Sequence, residues 1–310
     1  MSKKLKGNLI LLITTIAWGS SFVAQRLGMS ENTLTPTSFI AMRTLMGGIV
    51  LLPFIMFGKK NKPKEEKHSE NKNLLIGGIV TGLILCFASV MQTWGMAYPD
   101  TSAGKAGFIT ALYIIFVPIV GFFMGKKVSP LVILGIIMAT FGMYLLCSLN
   151  TSDSVMLSRG DFYVLISSIL YTFHILSIDY FTEKVQDTVK LACIQFFICG
   201  VLALLWTFIT KTFSPTEIWK NILPILYSGV ISCGIGYTLQ NVGQKYTDPT
   251  SASLIMSLES VFSAISGAIF LHEYMTTSQT IGCILTFAAV IITQIPVEKL
   301  HFKNIKSHRI

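Results

Sequence analysis

Charge is what this sequence has least of. Among 310 residues only 24 are Lys or Arg and 15 are Asp or Glu, a charged fraction of 13%, where a soluble domain carries about 25%. With 52% hydrophobic residues and a mean hydropathy of +0.65, this scarcity excludes an ordinary cytosolic enzyme, a disordered chain and a collagen-like repeat. Cysteine is sparse too: Cys86, Cys147, Cys193, Cys199, Cys233 and Cys283 all fall inside apolar runs. No C-x-x-C pair and no His at metal-ligand spacing accompanies them, so they read as packed free thiols and no cofactor is expected. A Walker G-x-x-x-x-G-K-[ST] motif is missing, which excludes ATP as a direct energy source. No His/Asp/Glu cluster, Ser/Lys pair or Cys/His pair is spaced for membrane-embedded catalysis.

What the chain does have is long apolar runs. The reading is an all-α integral membrane protein. At about 20 residues per crossing, ten transmembrane spans are expected, near 7–27, 36–57, 74–97, 103–124, 130–148, 160–180, 189–210, 222–243, 251–271 and 277–296. The basic start Lys3, Lys4 and Lys6 precedes a run that is long, contains Trp18 and lacks a clear small-x-small cleavage site. It reads as a retained first helix rather than a signal peptide.

The net charge of +9 sits in tails and loops between apolar runs, not along one face. That pattern fits orientation against anionic lipid and gives no reason to expect nucleic acid. With the N-terminus inside, the inner segments hold 18 of the 24 basic residues, which places both termini in the cytoplasm of a multi-pass cell-membrane protein. Residues 58–73 (GKKNKPKEEKHSENKN) read as a solvated linker.

The most specific signal is internal. Gln92, Gly95, Tyr98, Asp100, Thr101, Ser102 and Ala103 recur in order as Gln240, Gly243, Tyr246, Asp248, Thr250, Ser251 and Ala252, with Pro249 inserted. Each copy lies between two apolar runs, so the chain is read as a duplication: residues 1–149, residues 150–298 and a cytoplasmic tail 299–310. Five spans per copy is an odd number, and the second copy must therefore enter the membrane upside down. Two inverted five-helix repeats are an architecture of alternating access, in which the halves exchange conformations around a central site.

At the same positions the chain resembles the EamA-like members of the drug/metabolite transporter superfamily. The resemblance rests on Trp18-Gly19-Ser20-Ser21-Phe22, Arg43, Gly104-Lys105-Ala106-Gly107-Phe108 with Leu112-Tyr113, Ser257-Leu258-Glu259-Ser260-Val261-Phe262, Glu273 and Gly282, and covers nearly the whole chain. Two positions depart from the family pattern: Ser260, where many relatives have proline, and Lys126, where an acid is frequent. The resemblance implies a secondary carrier, an exporter or an importer, for small polar metabolites, amino acids or amphiphilic compounds. Its diversity selects no single substrate.

Several polar residues fall at membrane depth. Arg43 lies roughly 10 Å into the second span and Glu259 roughly 12 Å into the ninth, at 1.5 Å per residue. A charge at helix centre costs about 2.5–3.5 kcal/mol on insertion scales, so each calls for a partner or a wet cavity. Arg43 reads equally as a snorkelling anchor. Glu259 is a proton-coupling candidate if its surroundings favour the neutral acid, and a structural ion-pair partner, with Arg43 one candidate, if they favour the carboxylate. On a continuous helix it would share a face with Ala252, Ile255, Ser263 and Ser266.

Tyr237, Gln240, Asn241 and Gln244, at i, i+3, i+4 and i+7, put four hydrogen-bonding side chains on one face of the eighth span. With Gln92, Trp18 and Tyr113 they are substrate-binding candidates, amides for polar groups and aromatics for apolar or cationic ones. The bland reading of the same residues is interhelical glue. His174 and Asp179 are about 140° apart around their helix and form no relay by geometry. Pro118 and the pair Gly234 and Gly236 mark candidate hinges, and the Gly121/Gly125 and Ser263/Gly267 spacings mark candidate close-packing seams. The expected partners are a small-molecule substrate, the lipid bilayer, protons and, as a candidate, a second copy of the chain. A channel and a sugar or nucleotide-sugar carrier are the rival readings.

Overall fold

The computed structural model describes residues 2–29, 34–57, 64–98, 101, 103–126, 128–147, 158–270, 272 and 274–293. Among these residues the chain is helical and contains no strand: α1 Lys3–Met29, α2 Pro36–Phe57, α3 Lys64–Met96, α4 Ala103–Ala111, α5 Tyr113–Phe123, α6 Pro130–Cys147, α7 Arg159–Lys184 and α8 Thr188–Ile209. Two short helices, α9 Pro215–Lys220 and α10 Ile222–Tyr227, lead into a π-helix at Ser228–Tyr237. After it come α11 Thr238–Gln244, α12 Pro249–Met256, α13 Glu259–Phe270 and α14 Thr277–Thr293. Eight helical stretches are long and apolar enough to cross a membrane, and Pro130–Leu146 and Thr277–Thr293 are shorter apolar helices. Exposed apolar side chains such as Phe54, Phe123, Ile209 and Ile284 cover an outer surface suited to lipid rather than to water.

Local chemistry explains where the helices begin and break. Ser158 and Asp161 form a reciprocal capping box at the start of α7, and the Asp248 side chain accepts from the Ser251 amide at 2.8 Å ahead of Pro249 in the first turn of α12. Both arrangements satisfy amides that a helix start leaves orphaned. α5 ends on Gly125, whose φ of 80° is the left-handed conformation favoured by glycine. The Lys126 amide returns to the Gly121 carbonyl and the Gly125 amide to that of Phe122, both at 2.9 Å, a Schellman closure.

Four sequence expectations are corrected here. The tract 58–73 is not simply a linker, since α3 already begins at Lys64; residues 58–63 lie outside the described ones. The fourth span breaks at Leu112, between α4 and α5, while Pro118 sits inside α5. The ninth span is not continuous either: turns at Ser257 and Leu258 separate α12 from α13, so the face proposed for Glu259 does not run through. Ser253, Ser257 and Ser260 each turn a hydroxyl back to the carbonyl three residues earlier, at 2.7–2.9 Å, competing with the regular ladder at the break. Gly121 and Gly125 seat no neighbouring helix, because added Cβ atoms there would meet only Lys126 Cβ at 3.8 Å and open space respectively.

Packing is set by backbone-to-backbone approaches. A Cβ on Gly95 (α3) would lie 2.6 Å from the Gly160 carbonyl oxygen, and one on Gly160 (α7) 2.7 Å from that of Gly95. The same mutual contact joins Gly7 (α1) to Gly243 (α11), at 2.9 and 3.2 Å. Between α2 and α8, Gly48 faces the Phe197 ring at 3.1 Å and Gly200 faces Leu45 at 2.6 Å. Between α6 and α14, Gly142 faces the Gly282 carbonyl at 2.8 Å and Gly135 faces that of Ala289 at 3.3 Å. Such approaches let dispersion and weak polar contacts hold helices together where lipid removes the hydrophobic drive between them. α13 joins by packing on Gly19 of α1, where a Cβ would come within 2.8 Å of the Ser263 amide nitrogen.

Candidate functional site

The polar residues buried by this packing converge on one cavity with about 520 Å³ of empty space, whose walls stand so close that little of it admits a solute. α1, α2 and α3 contribute Trp18, Arg43 and Gln92, and the broken fourth span contributes Thr110 and Tyr113 on either side of its break. α7 brings Tyr171, His174 and Ile175. The π-helix and α11 bring Ser232, Tyr237 and Gln240, and the broken ninth span brings Met256 and Glu259. Seven of the nine residues expected from sequence therefore share one cavity, namely Trp18, Arg43, Gln92, Tyr113, Tyr237, Gln240 and Glu259.

Asn241 and Gln244 do not line it, which corrects the expectation that the whole stripe faces one space. Gln244 lies one turn behind Gln240, accepting from its Nε2 at 2.9 Å and donating to the Ile175 carbonyl at 3.0 Å. Asn241 is fully buried without a hydrogen-bond partner for either side-chain atom. The reason is rotational: Asn241 stands 100° around the helix from Gln240.

The π-helix is the site's most unusual element. Its ten residues include Gly229, Gly234 and Gly236, whose missing side chains ease a wide turn that ordinary sequences avoid and that recurs at functional sites. A Cβ at Gly236 would fall 2.6 Å from Trp18 Nε1. Its absence lets the Trp18 indole donate to the Ser232 carbonyl at 3.3 Å and lie against Tyr237 with ring centroids 4.6 Å apart. Gly234 and Gly236, candidate hinges from sequence, both lie in this π-helix.

Glu259 stands at the first position of α13, where the helix dipole favours negative charge, and its Oε1 accepts from the Tyr113 hydroxyl at 3.1 Å. Arg43 is 3% exposed and does not snorkel. Its guanidinium carbon is 5.9 Å from the Phe39 ring, and the Cys199, Cys233, Tyr171 and Tyr237 side chains lie within its electrostatic reach. Its Nε has no hydrogen-bond partner. Among the described residues the ion pairs are Lys4–Asp248, Lys126–Asp179 and Lys220–Glu217, so Arg43 and Glu259 are not paired with each other. An unpaired buried charge is costly, and Arg43 faces the cavity wall without an ion-pair partner among the described residues.

Gln92 and Gln240, matched in the internal repeat, behave differently. Gln92 is closed on both sides: its Nε2 donates to Thr110 Oγ1 at 3.1 Å and its Oε1 accepts from the Tyr171 hydroxyl at 3.3 Å. Gln240 spends its amide on Gln244 and leaves Oε1 without a donor. Tyr171, Thr110 and Ser232 also line the cavity but are not marked by spacing within their own helices, and His174 reads from sequence as a packed residue. The structure puts His174 on the cavity wall, 1% exposed with Nε2 unpartnered. Applying the repeat to the first and sixth spans would have found Tyr171, because a shift of 153 residues carries Gly7 to Gly160 and Trp18 to Tyr171. Asp179, on the same helix as His174, pairs with Lys126. Glu273 lies outside the described residues, as do the side chains of Lys105 and Cys147. No group of three or more His, Cys, Asp or Glu side chains among the described residues could hold a metal ion.

Comparison with known proteins gives this cavity a context. An uncharacterized transporter of Archaeoglobus fulgidus is 27% identical over 297 residues, covering 95% of this chain and 88% of the relative. Uncharacterized transporter YoaV of Bacillus subtilis is 21% identical over 284 residues, covering 89% and 92%. A solved structure described only as "Crystal structure of protein" has the same fold, with a TM-score of 0.75 at 16% identity over 96% of this chain and 99% of that one. The model of the EamA-like transporter family matches residues 5–148 and 158–295. The chain, with its many membrane-compatible helices around one polar cavity, belongs to the EamA-like transporter family.

Proposed function

We propose that the protein is a secondary carrier of ten membrane-crossing helices, arranged as two inverted five-helix repeats (1–149 and 150–298), which moves a small solute by alternating access through the cavity. Both termini face the cytoplasm, and the energy comes from an ion gradient, with Glu259 the group that couples protons to transport.

The observation that carries this reading is that exchanging the two halves carries several helix–helix contacts, and three pairs of cavity-lining residues, onto one another. A shift of 152 residues turns the Gly48–Phe197 contact into that of Gly200 with Leu45, and shifts of 153 and 148 turn the Gly7–Gly243 contact into that of Gly160 with Gly95. A shift of 147 turns the Gly135–Ala289 contact into that of Gly282 with Gly142. The two shorter apolar helices, α6 and α14, occupy matched places in this exchange and pack on each other, which supports counting them as the fifth and tenth spans. On the cavity wall, Trp18 is matched by Tyr171, Gln92 by Gln240 and Thr110 by Glu259. A site built equally from two halves of opposite orientation is open to one side or the other according to which half takes which conformation.

A channel would need a continuous pore, whereas this cavity is tightly walled. A nucleotide-sugar or sugar-phosphate carrier would need several cations on the wall, and Arg43 is the one Lys or Arg side chain among the described lining residues. The test is exchange in proteoliposomes. Saturable counterflow of a labelled solute, accelerated by the same solute trapped inside, supports the carrier; flux that rises linearly with concentration overturns it.

A further inference from the structure

The inference rests on reading the two halves as inverted repeats of a carrier, and it concerns how the cavity reaches the cytoplasmic face. In the second half, four buried side chains carry polar atoms without a hydrogen-bond partner among the described residues: His174 Nε2, both amide atoms of Gln195, Thr238 Oγ1 and both amide atoms of Asn241. α7, α8 and α11 meet here. The Tyr237 ring stands 6.1 Å from that of His174 and 6.0 Å from that of Phe196, so α11 begins in the angle between α7 and α8. Gln195 precedes Phe196 and lies within electrostatic reach of His174. Thr238 and Asn241, three residues apart, share one face of α11.

Their depths are graded. His174 lies ten residues before the end of α7, Gln195 seven after the start of α8 and Asn241 three before the end of α11. At 1.5 Å per residue these are roughly 15, 10 and 5 Å from the helix ends that the topology proposed above puts at the cytoplasm. The deepest of them, His174, is also on the cavity wall. The shallowest, Asn241, is one turn before Lys245, whose Nζ donates to the Val185 carbonyl at 3.1 Å and to the Gln186 carbonyl at 3.3 Å. The polar groups thus run from the cavity to a cross-link between the end of α11 and the turn that joins α7 to α8.

Keeping such groups buried is costly, because no bulk water reaches them through lipid and apolar side chains of similar shape would be more stable. Amides and hydroxyls present donors and acceptors together. A bare cation would satisfy the oxygens alone and an anion the N–H groups alone, whereas water satisfies both, with about three hydrogen bonds at each such site. The other half shows which side is concerned. Shifts of 153, 152 and 148 residues match Ser21, Arg43 and Thr93 to His174, Gln195 and Asn241. Inversion puts the first set towards the outer face and the second towards the inner. Ser21 donates to Ser228 Oγ at 3.3 Å and Thr93 to the Ser89 carbonyl at 2.6 Å, which leaves Arg43 Nε the one unpartnered side-chain atom of the outer set, against five in the inner set.

We propose that His174, Gln195, Thr238 and Asn241 hold a file of internal water molecules that is the passage between the cavity and the cytoplasm, closed at its mouth by Lys245.

The probe is a membrane-impermeant cationic methanethiosulfonate, applied separately to right-side-out and inside-out vesicles that carry the full-length protein. Asn241→Cys is the first site and Thr238→Cys, nearly isosteric, the second; labelling of the unsubstituted protein, through its own six cysteines, is subtracted. The expected result is modification from the cytoplasmic side alone, faster by about tenfold or more when Lys245→Met removes the donor to the two carbonyls, the loss of roughly one charge-assisted hydrogen bond. Modification of neither cysteine, as a dry packing seam would give, overturns the proposal. So does modification from the outer side, or a rate that Lys245→Met leaves unchanged. Saturable counterflow without labelling would preserve the carrier and remove only the passage, whereas labelling without saturable exchange of any solute would preserve the passage and remove the carrier.

Discussion

The hydroxyl of Tyr113 donates to Glu259 Oε1 across 3.1 Å, joining the start of α5 to the start of α13 at the places where the fourth and ninth spans break. A carboxyl group that might have stood alone in an apolar span is thus fixed in direction by a residue from the other half of the chain.

Glu259→Gln keeps the size and the hydrogen bond from Tyr113 but removes the titrating group. Proton-driven uptake into vesicles is expected to fall about tenfold or more, the loss of a charge-assisted interaction worth about 1.5 kcal/mol, with normal amounts of protein in the membrane. An unchanged dependence of transport on pH would remove the coupling role.

Lys126, just beyond α5, pairs with Asp179 on α7, one turn past the cavity residue Ile175. Their side chains are 37% and 11% exposed, so breaking the pair leaves a largely buried carboxylate without its cation and is expected to cost about 1–3 kcal/mol of stability. Because the contact joins the two halves beside the cavity, Lys126→Glu and Asp179→Lys should each change the transport rate more than the melting temperature, and the double swap should restore it. Equal losses in the single and double variants would show that the pair itself does not matter.

Gly142→Ala forces a methyl group against the Gly282 carbonyl, 2.8 Å from the new Cβ. Separating α6 from α14 is expected to cost about 1–3 kcal/mol, read as a lower melting temperature in detergent. Gly107→Ala has open space within 4 Å and sits inside α4, so it should be neutral or stabilising by up to about 1 kcal/mol. The contrast fails if both variants melt alike.

Gly236→Ala places a Cβ 2.6 Å from Trp18 Nε1 and should push the indole away from Tyr237 and the Ser232 carbonyl. A shift in indole fluorescence and weakened substrate binding are expected together. Intact binding with a displaced Trp18 would assign that side chain to packing alone.

The membrane class, most span positions and seven cavity residues were legible from sequence because each depends on local composition or on spacing within one helix. Apolar length signals a crossing whatever it packs against, and a polar side chain at membrane depth must find a polar neighbour. The motif shared by Gln92–Ala103 and Gln240–Ala252 stands out because polar residues punctuate the apolar background there, whereas the first and sixth spans show no such match. There Trp18 and Tyr171 share only their place in the fold.

The sequence by itself determined that this chain is a helical membrane protein with Arg43, Gln240 and Glu259 inside apolar spans, since apolar length and helical rise follow from composition and spacing alone. Only the tertiary structure decided that Arg43 has no carboxylate partner among the described residues, that Gln92 is closed while Gln240 is open, that Asn241 and Gln244 stand behind the wall, and that His174 and Tyr171 belong to it. These facts depend on how far each helix turns against its neighbours and on where α4, α12 and the π-helix leave the regular ladder. A rotation of 100° or a one-residue change of register moves a side chain from cavity to seam, and such quantities are set by contacts between segments far apart in the chain, as Gly7 is from Gly243 and Gly95 from Gly160, rather than by any one of them.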